Sequence, residues 1–329
     1  MTSPTPDDRR AAGSGDEPER LSPSAPEESL PPVPPSRDVD ALSPLESFLA
    51  TLDLVDTGAR TTKDIFTGPS QWMPHGRVFG GQVAAQSVVA AYRTLQHDRA
   101  IHSMHGYFLR PGDVTQPITF SVDRIHDGNS FSTRHVAAFQ NGLEIWSMMA
   151  SFQSDDGEVA YAEPMPAGIP DPEDVPSDVD VLNSIRPGAD EWVVRRAFET
   201  RHVDGAVYAF PSEGRAPAQA VWFRAVDRLP DDPVVHRAAI AYATDYTILE
   251  PVLRGQGLSW ITPGLRIASL DHGVWWHADA RADEWLLFVQ SSPAAGGGRG
   301  LTNGRIFARD GRLVASVAQE GMVRVKRTR

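Results

Sequence analysis

The sequence predicts an α+β protein in which an antiparallel sheet curls around a central helix, twice over. Three observations carry this. In the stretch "GRVFGGQVAAQSVVAAY", Gly76 to Tyr92, a helix begins with Phe79-Gly80-Gly81-Gln82 and then uses almost nothing larger than valine for two turns. That makes a thin helix, suited to close packing inside a curved sheet. Four strand-like segments follow it in series. The pattern then recurs: "HGYF" at His105 returns as "HGVW" at His272, and Asn141-Gly142 returns as Asp310-Gly311. The spacing Gly106 to Gly142 is 36 residues and Gly273 to Gly311 is 38, so the halves share one plan.

The elements follow in order. Residues 1–42 are rich in proline, serine and acid, with "PPVPP" at Pro31 to Pro35, and lack apolar periodicity. They are expected to form a disordered tail, because they cannot offset the entropy of ordering. The first half, 43–153, has a helix from Gln82 to about Leu95 and strands "IHSMHGYFL", "PITFSVDRIH", "NSFSTRHVAAFQ" and "LEIWSMMASFQ". Residues 154–190, with "GIPDPEDVPSDVD", read as a linker. The second half, 191–329, opens on the helical "DDPVVHRAAIAYATDYTIL", where Asp231 or Asp232 suits the cap and Pro233 the first turn. Its strands are "LRIASLDHGVWWH", "EWLLFVQSSP", "LTNGRIFAR" and "RLVASVAQEGMVRV". Asn141-Gly142 and Asp310-Gly311 both suit two-residue hairpin turns, since these residues tolerate positive φ.

Composition narrows the function. A net charge of −12 disfavours broad binding to nucleic acid. No apolar run of about 18 residues predicts a membrane span, and the N-terminus lacks the apolar segment of a secretory signal. The absence of cysteine removes disulfides, thiolate nucleophiles and cysteine metal sites. A cytoplasmic protein is expected. There is no G-x-S-x-G elbow, H-E-x-x-H or phosphate-loop fingerprint, which disfavours the familiar serine hydrolases and zinc peptidases.

Asp245 is the most informative residue. It falls within an apolar helix, and neither the residues a turn before it nor those a turn after are basic. A carboxylate near a core without a partner is either exposed at one edge or kept for function. Gln319 in "VASVAQEGMV" and Ser269 in "IASLDHG" are compatible with ordinary strand positions. Asp271 and His272 are adjacent in a strand and so face opposite ways. The position of His272 opposite His105 suggests a structural role. The cluster Gly296-Gly297-Gly298-Arg299-Gly300 suits a hairpin loop better than a phosphate cradle.

The segments "RVFGGQVAAQS", "HSMHGYFLRPGD", "IHDGNSFSTRHVAAFQNG", "ASFQ", "AYATD", "DHGVWWH", "DEWLLF" and "GRLVASVAQEG" together resemble the type II acyl-CoA thioesterases, over about Leu45 to Val325. The resemblance implies a double hotdog: two antiparallel sheets, each wrapped around a central helix. It implies hydrolysis of acyl-CoA to free fatty acid and coenzyme A by direct attack of water. The family's catalytic aspartate falls on Asp245, its glutamine on Gln319 and its hydroxyl residue, threonine in other members, on Ser269. Backbone N–H groups at Gly80 and Gly81 are expected to hold the thioester oxyanion, since helix starts present unpaired donors. Arg299 is expected to meet the CoA phosphates. No metal or cofactor is required, and a homo-oligomer is expected. The rival readings are a hotdog enoyl-CoA hydratase or dehydratase with His272 as base, and an acyl-CoA-binding regulator without turnover.

Overall fold

The computed structural model describes residues 42–326 apart from 60–61, 155–156, 158–160, 186–192, 194 and 209. The predicted tail lies outside the described residues except for Leu42. The first half contains α1 (Pro44–Leu52), β1 (Val55–Asp56), β2 (Asp64–Gly68), α2 (Gly80–Tyr92), β3 (Ala100–Phe108), β4 (Ile118–Asp127), β5 (Phe131–Gln140) and β6 (Leu143–Gln153). The helix α3 (Asp178–Ile185) precedes β7 (Phe198–His202), β8 (Ala218–Ala225), α4 (Pro233–Thr244), α5 (Glu250–Gln256), β9 (Leu265–Ser269), β10 (Asp271–Trp276), β11 (Leu286–Gly296), β12 (Arg299–Ala308) and β13 (Leu313–Val325).

All the strands join one antiparallel sheet of 13, in the order β1-β2-β4-β5-β6-β3-β10-β13-β12-β11-β8-β7, with β9 also on β13. The order is a mirror. Reading outward from the central β3–β10 pair gives 6-5-4-2 on one side and 13-12-11-8 on the other. Each half is thus a strand, a helix and four strands, the double hotdog. The halves meet where Gly106 pairs with His272 and His105 with Gly273. Among the described residues no helix is long and apolar enough to cross a membrane.

The thin helices explain how one curved sheet encloses two. Every residue of α2 from Gly81 to Ala91 is buried, and α2 lies against α4. A Cβ on Gly81 would stand 2.3 Å from the Tyr242 carbonyl oxygen, so only glycine lets the helices approach this closely. Two buried amides of α2 are satisfied. Gln82 Nε2 donates to Pro69 O and Gln86 Nε2 to Thr51 O, both at 3.0 Å, which ties α2 to the chain before it. The cap of α4 is Asp232, accepting from Val234 N at 2.9 Å, with Pro233 in the first turn.

Four expectations change. The stretch read as a linker is largely a packing layer. Met165, Ile169 and Val175 cover Trp222, Leu287 and Phe307 on the outer face of the second half, and Trp222 Nε1 donates to Pro170 O at 2.9 Å. Asp178 of α3 is buried against His202, whose other ring nitrogen meets Glu250. Burial opposes charge on His202, yet these two carboxylates outweigh it and push the imidazole up to about 10. Next, Asn141 and Gly142 both have positive φ, as a two-residue turn requires, but only Gly311 does in the second half. There the strands end at Ala308 and resume at Leu313, so that turn is longer. Third, His105 is exposed and bonded to Asp271, whereas His272 is buried on the inner face, so the two histidines are not counterparts. Last, Asp245 is not inside its helix but is the C-cap residue of α4.

Candidate active site

Three second-half elements and one first-half helix start converge on Asp245. The carboxylate sits at the C-terminal end of α4, where its own helix dipole disfavours negative charge. It is placed there against the first turn of α2, whose dipole favours it. Gly81 N donates to Asp245 Oδ2 at 2.9 Å. Gln319 Nε2 donates to Oδ1 at 3.0 Å and Ser269 Oγ to the same oxygen at 3.2 Å. Gln319 Nε2 also lies 2.8 Å from Ser269 Oγ.

Strand register makes this possible. Ser269 of β9 pairs with Gly321 of β13, and Gln319 lies two residues from Gly321, on the same face. Both side chains therefore point inward at the end of α4. Among the described residues no lysine or arginine pairs with Asp245. Burial pushes its carboxyl above the ordinary aspartate range, and His272 and the donors from Gln319, Gly81 and Ser269 offset this only in part. Such a carboxylate is a better base than a solvated one.

The two glycines have different tasks. The Gly81 N–H is committed to Asp245, so it holds the carboxylate and not an oxyanion. Among the described residues the Gly80 N–H has no acceptor. A Cβ on Gly80 would stand 2.8 Å from Asp245 Oδ2 and 2.8 Å from Phe108 Cζ, so glycine keeps open the space beside the carboxylate. Phe79 walls this corner, stacked on Tyr246 with ring centres 4.9 Å apart.

His272 was read from the sequence only as a structural residue or a rival base. It is fully buried, with Nδ1 on Gln319 Oε1 and Nε2 3.0 Å from Thr244 Oγ1. Burial pushes its imidazole below the ordinary histidine value, so it is neutral near pH 7. With both nitrogens engaged inside the protein, it does not fit the role of hydratase base. Arg299 lies apart from the Asp245 cluster. It follows a tight turn at Gly297-Gly298, both at positive φ. Its Nε donates to Glu320 at 2.9 Å on the outer face, opposite to Gln319.

The chain is similar to known proteins over most of its length. Residues 193–322 match the family model described as acyl-CoA thioesterase, and residues 68–153 match that of the acyl-CoA thioesterase N-terminal domain. Human acyl-coenzyme A thioesterase 8 is 35% identical over 80% of this chain and 86% of its own length. Acyl-CoA thioesterase 2 of Haemophilus influenzae is 34% identical over 79% of this chain and 92% of its own. The solved structure of acyl-CoA thioesterase II TesB2 from Mycobacterium marinum superposes with a TM-score of 0.68 at 41% identity, covering 86% of this chain and 99% of that one.

Proposed function

Because the chain belongs to the acyl-CoA thioesterase family and hydrolyses acyl-CoA thioesters, we propose that Asp245, Gln319 and Ser269 activate one water for direct attack on the thioester carbonyl. The observation that carries this reading is the Asp245 carboxylate, held by three donors and, among the described residues, with no lysine or arginine paired to it. Water bound between Gln319, Ser269 and Asp245 gives its proton to the carboxylate as its oxygen bonds to the carbonyl carbon. The oxyanion that forms is met by the open N–H of Gly80 at the start of α2. The C–S bond then breaks. The CoA thiolate takes back the proton from Asp245, leaving a fatty acid and coenzyme A. Serine at 269 serves where other members carry threonine, because the hydroxyl both donates and accepts.

No cysteine exists to form a thioester intermediate, and the Ser269 hydroxyl faces a carboxylate already shared with two other donors. Intact-mass measurement of enzyme quenched during turnover is the test of direct attack. The expected result is unmodified protein, and an acyl adduct would contradict it. Thiol release across acyl chain lengths, run beside enoyl-CoA hydration, separates hydrolysis from the rival chemistry. Turnover of fatty acyl-CoA in the cytoplasm, by a homo-oligomer, completes the proposal. Assignment of the 43–153 and 191–329 halves as successive hotdog units, with the chemistry in the second, belongs to it as well.

A further inference from the structure

The three hydrogen bonds on Asp245 leave open what orients Gln319. An amide has two ends of nearly equal size, and only its NH2 end suits a carboxylate. Gln319 is 1% exposed, so its Oε1 must find a donor inside the protein. That donor is His272 Nδ1. Because Nε2 of Gln319 faces Asp245 and Ser269, the group opposite Oε1 has to carry a proton, which fixes the Nδ1–H form of His272. The hydroxyl of Thr244 lies 3.0 Å from His272 Nε2 and 3.1 Å from Ala241 O. Its single proton, placed toward Nε2, makes His272 neutral and aligns every donor in one direction: Thr244 to His272, His272 to Gln319, Gln319 to Asp245.

The chain of bonds starts and ends on adjacent residues, Thr244 and Asp245, at the end of α4. Across the central strand pair, His272 stands opposite Gly106. A side chain at Gly106 would meet the Trp146 ring at 2.3 Å, so the first half has no room for a matching group there.

We infer that His272 is a positioning residue for thioester hydrolysis: its Nδ1–H holds Gln319 Oε1, so that the amide NH2 end stays on Asp245 and Ser269. The inference rests on the proposed role of Gln319 in holding the attacking water. Without His272 the buried oxygen loses its donor, and the amide turns to seek another, taking its NH2 end off the carboxylate.

A double-mutant cycle with steady-state kinetics is the test. His272→Ala is expected to lower kcat by about 10- to 50-fold with KM within about threefold. His272→Asn, whose amide N–H can stand near the Nδ1 position, is expected to recover most of that loss. In a Gln319→Ala background, His272→Ala should cost less than about twofold more, since its effect passes through the missing amide. Should His272→Ala not fold, His272→Asn and Thr244→Val enter the same cycle, and Thr244→Val is expected to lower kcat about three- to tenfold only while Gln319 is present. Losses that multiply across the cycle, or an effect confined to KM, overturn the inference. Full turnover by Gln319→Ala alone would instead overturn the reading of Gln319.

Discussion

The two ends of the α2–α4 pair occupy matching places in the repeat and differ in their caps. At one end the C-cap of α4 is Asp245, and the start of α2 is Gly80-Gly81 with no side-chain cap. At the other, the C-cap of α2 is Arg93, drawn to the Leu54 carbonyl and 3.9 Å from Asp53. The start of α4 there has a side-chain cap: Pro233 has no N–H, and Asp232 takes that of Val234. A buried carboxylate and an uncapped helix start stand together at the first end, whereas at the second the carboxylates of Asp53 and Asp232 are exposed and engaged with Arg93 and Val234 N. The same contrast runs through the strands. Gln319 of β13 faces inward, and Ala150, which the turn-based alignment of the halves sets against it, is a buried alanine on β6. On the proposed reading, the second half carries the chemistry and the first lends a helix start.

The largest difference in activity is expected between substitutions at the two caps. Asp245→Asn keeps the shape and removes the base, and is expected to lower kcat about 10³-fold. Arg93→Gln at the matching cap should leave kcat within about threefold. Steady-state thiol release decides both, and comparable losses would break the comparison. Next, Gln319→Ala is expected to cost about 10²-fold and Ser269→Ala about tenfold in kcat, with Ser269→Thr close to the parent.

Smaller effects appear in the pH response and in packing. The raised carboxyl of Asp245 puts the acid limb of kcat/KM above the ordinary aspartate value of about 3.9. Linkage fixes the sign for stability. A carboxyl that is harder to ionise in the folded protein contributes stability below its unfolded value, and that stability is lost as pH rises through the folded value. Asp245→Asn is therefore expected to raise the melting temperature at neutral pH while abolishing turnover. A fall would show that the charge itself holds the fold. Gly81→Ala drives a methyl against the Tyr242 carbonyl and is expected to destabilise the chain by about 1–3 kcal/mol.

Much of this was legible in the sequence, for physical reasons that also mark the limit. Turn residues and small-residue helices repeat, so the plan of each half is readable. What was missed lies where burial breaks periodicity. β8 is buried on both faces, because residues 165–175 cover its outer side, and it shows no alternation. β2 has only five residues. The helix α1 did carry a signal: Ser43 and Glu46 form a capping box, with bonds of 3.3 and 3.0 Å. At the site, the residues alone singled out Asp245, whereas Gln319 and Ser269 needed the family resemblance, since any strand shows polar residues at every second position. Arg299 lies on the face opposite to Gln319, and charge alone does not say which face a side chain takes. The partnership of Thr244 with His272 spans 28 residues and follows only from the register of β10 beside the end of α4.

Whether each chain holds one productive site is measured by calorimetric titration with a non-hydrolysable acyl-CoA thioether. One molecule is expected to bind per chain of the parent, of Asp245→Asn and of Arg93→Gln, with turnover lost in Asp245→Asn alone. Two equivalent sites per chain, or a second site whose loss in Arg93→Gln halves the turnover, would contradict it.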